Sequence, residues 1–297
     1  MPVRKDDEGR RYVEAEVEIP GSPEEVWRAI ATGEGISSWF VPSKVEGRVG
    51  GQTVTSFGPG MDAVSKITKW NPPQSYTAES EEGDGETGPG KVATEWIVEA
   101  RDRGTCIVRV VHRWFADTDD WDGQFEGHAY GWATSFFRML KLYQSNFPGQ
   151  KCSAFQLAAI SQAPPPETWR TFKIAMKIDE QSGRAASTPG APEFAGAVER
   201  MEITDPELQR IRKTSPHVAA ALESMEEGEE PELLLRLDRP APGLAHIFVV
   251  PLGGPTMVSM RVHLYGENAD AAAAEAERAW SGWLNERFPQ PAEKGSQ

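Results

Sequence analysis

The stretch Ser22–Ile30, SPEEVWRAI, returns in altered form at residues 165–173 as PPETWRTFK. Four residues are shared at one constant offset of 142 positions, counted from Pro23 to Pro165. They are Pro23, Glu25, Trp27 and Arg28, which return as Pro165, Glu167, Trp169 and Arg170. A segment that occurs twice in a chain of 297 residues predicts two copies of one domain, each of about 150 residues.

The residues before and within Ser22–Ile30 predict a strand followed by a capped helix. Residues 11–19, RYVEAEVEI, alternate strictly between apolar and polar side chains, which is typical of a half-buried strand. Ser22 then stands as N-cap, Pro23 as the first helical residue and Glu25 as the third, which is a capping box. Gly33 and Gly35 end this helix, and a second short helical turn carries Ile36 and the aromatic residues after it.

A hairpin is predicted over residues 91–115, KVATEWIVEARDRGTCIVRVVHRWF, with its turn at Asp102-Arg103-Gly104. Its charged side chains share one face and its apolar and aromatic side chains share the other. Antiparallel pairing around that turn sets Trp96 opposite Val110 and Thr94 opposite His112.

A long helix is predicted from about Gln124 to Phe147, ended by Pro148-Gly149. It carries an apolar stripe at helical spacing, made of Phe125, Ala129, Trp132, Phe136, Leu140 and Tyr143. Because this helix is the element available to fill the concave side of a curved sheet, we expect a cavity between the two.

This order of elements resembles that of the SRPBCC or START-like superfamily. The resemblance extends to three segments of the sequence: IPGSPEEVWRAIATGEGISSWF, VGGQTVTSF and EGHAYGWATSFFRMLKLY. Within this superfamily, the sequence looks like the branch related to the C-terminal domain of the heat-shock-protein-90 ATPase activator. The resemblance covers about residues 10–147. It rests on Pro23, Val26, Trp27, Trp39, Gly50, Gly51 and the pair Gly131-Trp132. It implies an α+β helix-grip fold, a curved antiparallel sheet around a long C-terminal helix.

The second half fits the same plan, so we expect two such domains in tandem, at 1–148 and 149–290, and a disordered tail at 291–297. The interval from Arg28 to Ala63 is 35 residues, whereas the matching interval from Arg170 to Ala197 is 27. This predicts a degenerate second copy without the second helix and the next two strands, but with a polar helical insertion near 205–227. Its alanine-rich last helix predicts a smaller cavity and a structural role.

Ten residues are candidate ligand-binding residues of the first domain. They are Trp39, Phe57, Thr94, Trp96, Val110, His112, Trp114, Trp132, Phe136 and Met139. His112 is either a polar anchor or general acid/base in the cavity, or a core histidine with its hydrogen bonds satisfied. The aromatic residues either line a pocket for a flat or fatty ligand or fill the core.

Composition and motifs narrow the function. A net charge of −14 without a basic cluster argues against nucleic-acid binding. The sequence offers no apolar run long enough to span a membrane, no signal peptide, no metal-ligand spacing, no phosphate-binding loop and no nucleophile elbow. We therefore expect a cytoplasmic protein without a cofactor or metal.

Three functions remain open at this stage. The first is binding of a hydrophobic small molecule in the N-terminal cavity, with His112 orienting it. The second is a cyclase or dehydratase that uses His112 on a polyketide-like substrate. The third is a chaperone-activator-like interaction module, with a chaperone or a second copy of the chain as partner. The family resemblance implies this range, because its members bind apolar ligands, cyclise polyketides or assist chaperones.

Overall fold

The computed structural model describes residues 3–58, 60–82, 89–115, 119–199, 206, 209–210, 212, 232–252 and 254–289. The chain divides into two compact units, of which the first contains Met1–Gly149 and the second begins at Gln150. Arg210 groups with the first unit, where its guanidinium pairs with Glu126 at 3.2 Å. No helix among the described residues is both long and apolar enough to cross a membrane.

The first unit consists of one sheet and a set of helices. Its strands are β1 Arg4–Lys5, β2 Arg11–Pro20, β3 Ser43–Val45, β4 Gln52–Ser56, β5 Asp62–Asn71, β6 Ser75–Glu82, β7 Gly90–Arg101 and β8 Thr105–Trp114. Its α-helices are α1 Pro23–Ala31, α2 Gly33–Ser37, α3 Asp122–Gly131 and α4 Phe137–Asn146. The eight strands pair antiparallel in the order β1-β2-β8-β7-β6-β5-β4-β3.

The capping box that starts α1 is confirmed. The Glu25 backbone N–H donates to Ser22 Oγ at 3.3 Å, and the Ser22 N–H donates to the Glu25 carboxylate at 2.8 Å. These bonds satisfy two backbone donors that the first helical turn would otherwise leave open. Gly35 lets α2 follow directly, since a Cβ there would come within 1.9 Å of the Arg28 carbonyl oxygen.

The register of the β7–β8 hairpin is also confirmed, with Trp96 paired to Val110 and Thr94 to His112. The outward face carries ion pairs, including Arg113 to Glu95 at 2.7 Å. The apolar and aromatic side chains of both strands therefore face the interior, as the alternation along each strand predicts.

The long helix differs from the expectation in one respect. A π-helical turn, Trp132–Phe136, separates α3 from α4, and the Phe137 N–H donates to the Trp132 carbonyl five residues earlier. This turn inserts one residue into the helical period. Phe137 therefore takes the buried position that regular spacing gives to Phe136, and Phe136 is only half-buried.

The second unit repeats the first. Its elements are β9 Cys152–Ser161, α5 Pro165–Ala175, β10 Met176–Asp179, β11 Arg184–Ser187, β12 Ala195–Val198, β13 Glu232–Arg239, β14 Gly243–Pro251, β15 Thr256–Tyr265 and α6 Ala269–Arg287. The strand order β10-β11-β12-β13-β14-β15-β9 matches that of β3 to β8 followed by β2. The chain is thus an α+β protein with two copies of the helix-grip fold.

The degenerate copy departs from the prediction in its early strands. We expected two strands to be missing after α5, but β10 and β11 are present as a hairpin that starts at the residue capping α5. The interval is shorter because β10 begins at Met176, directly after α5 ends at Ala175, so no second helix separates α5 from the sheet. The predicted insertion near 205–227 lies almost wholly outside the described residues, as does the predicted tail at 291–297.

Candidate functional site

A cavity of about 520 Å³ lies in the first unit between the inner face of the sheet and the long helix. The described residues that line it come from α2 and the segment after it, from β4 to β8, from α3 and from the π-turn. They are Ile36, Phe40, Thr53, Thr55, Phe57, Asp62, Ala63, Val64, Ser65, Tyr76, Ala78, Ser80, Val92, Thr94, Trp96, His112, Phe125, His128, Trp132 and Phe136. A volume of this size is typical of pockets that hold small organic molecules, roughly 300–1,000 Å³.

Trp132 is the centre of the aromatic wall. Its ring centroid lies 5.1 Å from that of Phe40, 5.2 Å from Phe136 and 5.2 Å from Trp96. Phe40 also meets Phe57 edge to face at 5.9 Å. Trp132 and Phe136, at the two ends of the π-turn, both line the cavity.

The sheet side of the cavity is more polar. Hydroxyl groups project from four neighbouring strands, at Thr53, Thr55, Ser65, Ser80 and Thr94. Thr53 and Ser65 are direct partners across β4 and β5. Among the described lining residues Asp62 is the one acid, and there is no lysine or arginine. The cavity therefore combines an aromatic wall and a row of neutral hydroxyls, with two histidines, His112 and His128, as the basic side chains in the part of the lining that is described.

Six of the ten candidate residues line the cavity: Phe57, Thr94, Trp96, His112, Trp132 and Phe136. The other four, Trp39, Val110, Trp114 and Met139, do not line it and are buried. Trp39 packs beneath Phe40 and donates its indole N–H to the Ala29 carbonyl at 2.9 Å. Trp114 stacks on Phe125 at 4.1 Å, so it belongs to the core beside the cavity.

Sequence reasoning missed the far side of the cavity. Phe40, Tyr76, His128 and the hydroxyl residues of β4 and β5 were not among the candidates, although QTVTSF shows the alternation of a strand. The alternation alone cannot tell which side of such a strand faces the cavity, because that depends on the strands it pairs with. Tyr76 is also committed elsewhere, because its hydroxyl donates to the Ile30 carbonyl of α1 at 3.0 Å, and burial raises its pKa.

His112 has both ring nitrogens engaged. Nε2 accepts a hydrogen bond from the Trp132 indole N–H at 3.0 Å, and Nδ1 lies 3.0 Å from Thr94 Oγ1. Burial, and to a lesser extent the nearby His128, lower the pKa of His112 to about 3. The imidazole is neutral at pH 7 for this reason, and its basic lone pair is already used by Trp132. This geometry suits a positioning role better than proton transfer.

The low pKa gives a testable pH dependence. The NMR resonances of the His112 ring should not titrate between roughly pH 8 and pH 5, where an unperturbed histidine titrates. Since the unfolded chain takes up a proton near pH 6.5 that folded His112 refuses down to about 3, its contribution to stability is complete above pH 6.5 and falls as the pH drops toward about 3. A titration midpoint near 6.5 for this ring would contradict the assigned environment.

A second hollow of about 670 Å³ lies by the start of α1, lined by Pro23, Glu24, Glu95 and Glu99 among others. It is the more open of the two, and two of its carboxylates are already paired on the outer sheet face, Glu95 with Arg113 and Glu99 with Arg109. Within the described ranges no group of three or more histidine, cysteine or acidic residues could hold a metal ion.

A curved antiparallel sheet, a long helix and a cavity between them define the helix-grip class. Residues 10–141 match the family model described as polyketide cyclase / dehydrase and lipid transport. This match confirms the resemblance to the SRPBCC or START-like superfamily for the first unit. No curated protein matches the chain significantly.

Several solved structures are similar at low identity. The crystal structure of the di-domain ARO/CYC BexL from the BE-7585A biosynthetic pathway is 14% identical, with a TM-score of 0.43, covering 95% of this chain and 99% of that one. The Aha1 dimer from Colwellia psychrerythraea is 22% identical, with a TM-score of 0.38, covering 46% and 98%. Protein MLL2253 from Mesorhizobium loti is 20% identical, with a TM-score of 0.41, covering 46% and 98%.

Proposed function

We propose that the first unit binds a neutral, largely apolar small molecule in the cavity between its sheet and its long helix. The observation that carries this proposal is a cavity of about 520 Å³ walled by Trp132, Phe40 and Phe136 on one side and by neutral hydroxyls on the other. Aromatic walls would supply most of the affinity through apolar burial, and a few polar groups would orient the molecule. The family description, which names polyketide and lipid proteins, supports an apolar ligand.

The cyclase or dehydratase alternative has less support from the site. The candidate acid/base His112 has its Nε2 lone pair occupied by Trp132 and a pKa of about 3, so at pH 7 it is poorly suited to donate or to accept a proton. Asp62 stands at the exposed side of the cavity without a second described carboxylate to share acid/base work. We therefore propose binding rather than turnover as the function of this site.

We propose a structural role for the second unit, over residues 149–290. Large aromatic side chains pack against one another in its described core: Trp280 is fully buried and its ring lies 4.7 Å from Phe194. Trp283 also lies 5.5 Å from Phe172 of α5. The alanines of α6 at Ala269, Ala273 and Ala276 are buried as well, as a close approach of helix and sheet requires.

A matched pair of fluorescent probes tests the ligand class. N-phenylnaphthylamine is neutral, and anilinonaphthalenesulfonate has the same ring skeleton with an added sulfonate. The neutral probe should bind about tenfold tighter or more, because the anion would be desolvated without a lysine or arginine among the described lining residues. Titration followed by probe fluorescence gives both dissociation constants. Equal or tighter binding of the sulfonate would contradict the proposed class.

A charge reversal at the cavity sharpens this test. Asp62→Lys should improve the affinity of the sulfonate about threefold to fivefold and leave that of the neutral probe unchanged. The control is Asp102→Lys, which changes net charge equally but lies in the β7–β8 turn away from the cavity. Equal improvement in both variants would mean that the sulfonate responds to overall charge and not to the cavity.

A further inference from the structure

The hydrogen bonds at the cavity wall have a fixed direction. The Trp132 indole nitrogen can only donate, so His112 Nε2, 3.0 Å away, is the acceptor and carries no proton. A neutral imidazole has one proton, which must then sit on Nδ1. The depressed pKa of His112 agrees with this neutral form.

The proton on Nδ1 also fixes the direction of the hydrogen bond between His112 and Thr94. His112 Nδ1–H donates to Thr94 Oγ1 across 3.0 Å, so the threonine oxygen acts as the acceptor in that bond. The Thr94 hydroxyl keeps its own hydrogen, and within the described residues no second hydrogen bond of Thr94 Oγ1 is formed. Thr94 is half-buried and lines the cavity. A chain of donors running from Trp132 through His112 thus ends on a hydroxyl that can donate into the cavity.

We infer that the Thr94 hydroxyl donates a hydrogen bond to a carbonyl-type oxygen of the bound molecule, with Trp132 and His112 fixing its direction. His112 is then a positioning residue and Thr94 the group that touches the ligand. Aligned hydrogen bonds polarise one another, so this hydroxyl is a better donor than an isolated one. The inference rests on the proposed function and adds a feature of the ligand: a flat apolar body that carries a carbonyl acceptor.

Fluorene and fluorenone test this inference, because they share one flat ring system and differ by a carbonyl. Thr94→Val removes the hydroxyl and keeps the shape, so it should lower the preference for fluorenone over fluorene by about threefold to tenfold. Thr94→Ser should restore the preference. Thr68→Val is the matched control, since it removes a half-buried strand hydroxyl that does not line the cavity and should leave the preference as in the wild type.

A second measurement needs no variant. The infrared carbonyl stretch of fluorenone bound to the wild-type protein should lie below its frequency in an apolar solvent, as hydrogen bonding requires. An unshifted stretch, or a Thr94→Val preference equal to that of the wild type, would overturn the inference while leaving the proposed function standing. If neither fluorene nor fluorenone binds the wild-type protein, the proposed function fails and this inference fails with it.

Discussion

Replacing Ala63 with tryptophan should weaken binding of N-phenylnaphthylamine by about 30-fold or more. Ala63 faces the cavity from β5, opposite Thr55 on β4. An indole at this position would occupy a large share of about 520 Å³ and clash with any flat ligand. Because Ala63 is exposed and faces a cavity and not a packed core, the indole enters without overpacking, and the free energy of unfolding should change by less than about 1 kcal/mol.

The control for this variant is Lys66→Trp, on the same strand. Lys66 is exposed and does not line the cavity. Its substitution should leave the affinity for N-phenylnaphthylamine as in the wild type, as measured by the same fluorescence titration. Unchanged binding to Ala63→Trp, or an equal loss in Lys66→Trp, would show that the probe binds somewhere other than this cavity.

Replacing Trp114 with alanine should lower the free energy of unfolding by about 3–5 kcal/mol. Trp114 is fully buried, and its ring stacks on Phe125 with centroids 4.1 Å apart. The same cluster includes Val13, Val92 and Ala129, so the substitution would open a hole between β2, β7, β8 and α3. Urea unfolding of the full chain, followed by circular dichroism, measures the loss.

The neighbouring residue provides the control for Trp114. Phe115 is 38% exposed, so Phe115→Ala should cost less than about 1 kcal/mol. Since Trp114 does not line the cavity, the folded fraction of Trp114→Ala should still bind N-phenylnaphthylamine. A destabilisation below about 1 kcal/mol in Trp114→Ala would contradict the role of this ring in the core.

Local patterns in the sequence were sufficient for some parts of the fold. The alternation on both strands of the hairpin and the turn at Asp102-Arg103-Gly104 leave one register in which charges face outward, and that register pairs Thr94 with His112. The capping box at Ser22 depends on residues three positions apart, so it too is visible in sequence. The second copy has Pro164 at the equivalent position, and no side chain caps α5.

Other features depend on contacts that sequence spacing does not encode. Regular helical spacing gives no sign of the π-turn, which moves Phe136 from the core stripe to the cavity. Trp114 and Met139 face inward as expected, but whether an inward residue meets a cavity or a neighbouring ring depends on where the helix lies. For His112, sequence could not decide between anchor and core residue, because the answer lies in two hydrogen bonds to residues 18 and 20 positions away.

We expect the first unit to hold a small molecule in its helix-grip cavity. Native mass spectrometry tests it most directly, on the freshly purified protein and on the protein mixed with N-phenylnaphthylamine, each compared with a denatured sample. We predict a small added mass that appears only under native conditions in the wild type and is lost in Ala63→Trp. A wild-type spectrum without added mass in both samples, or an equal adduct on Ala63→Trp, would contradict the claim.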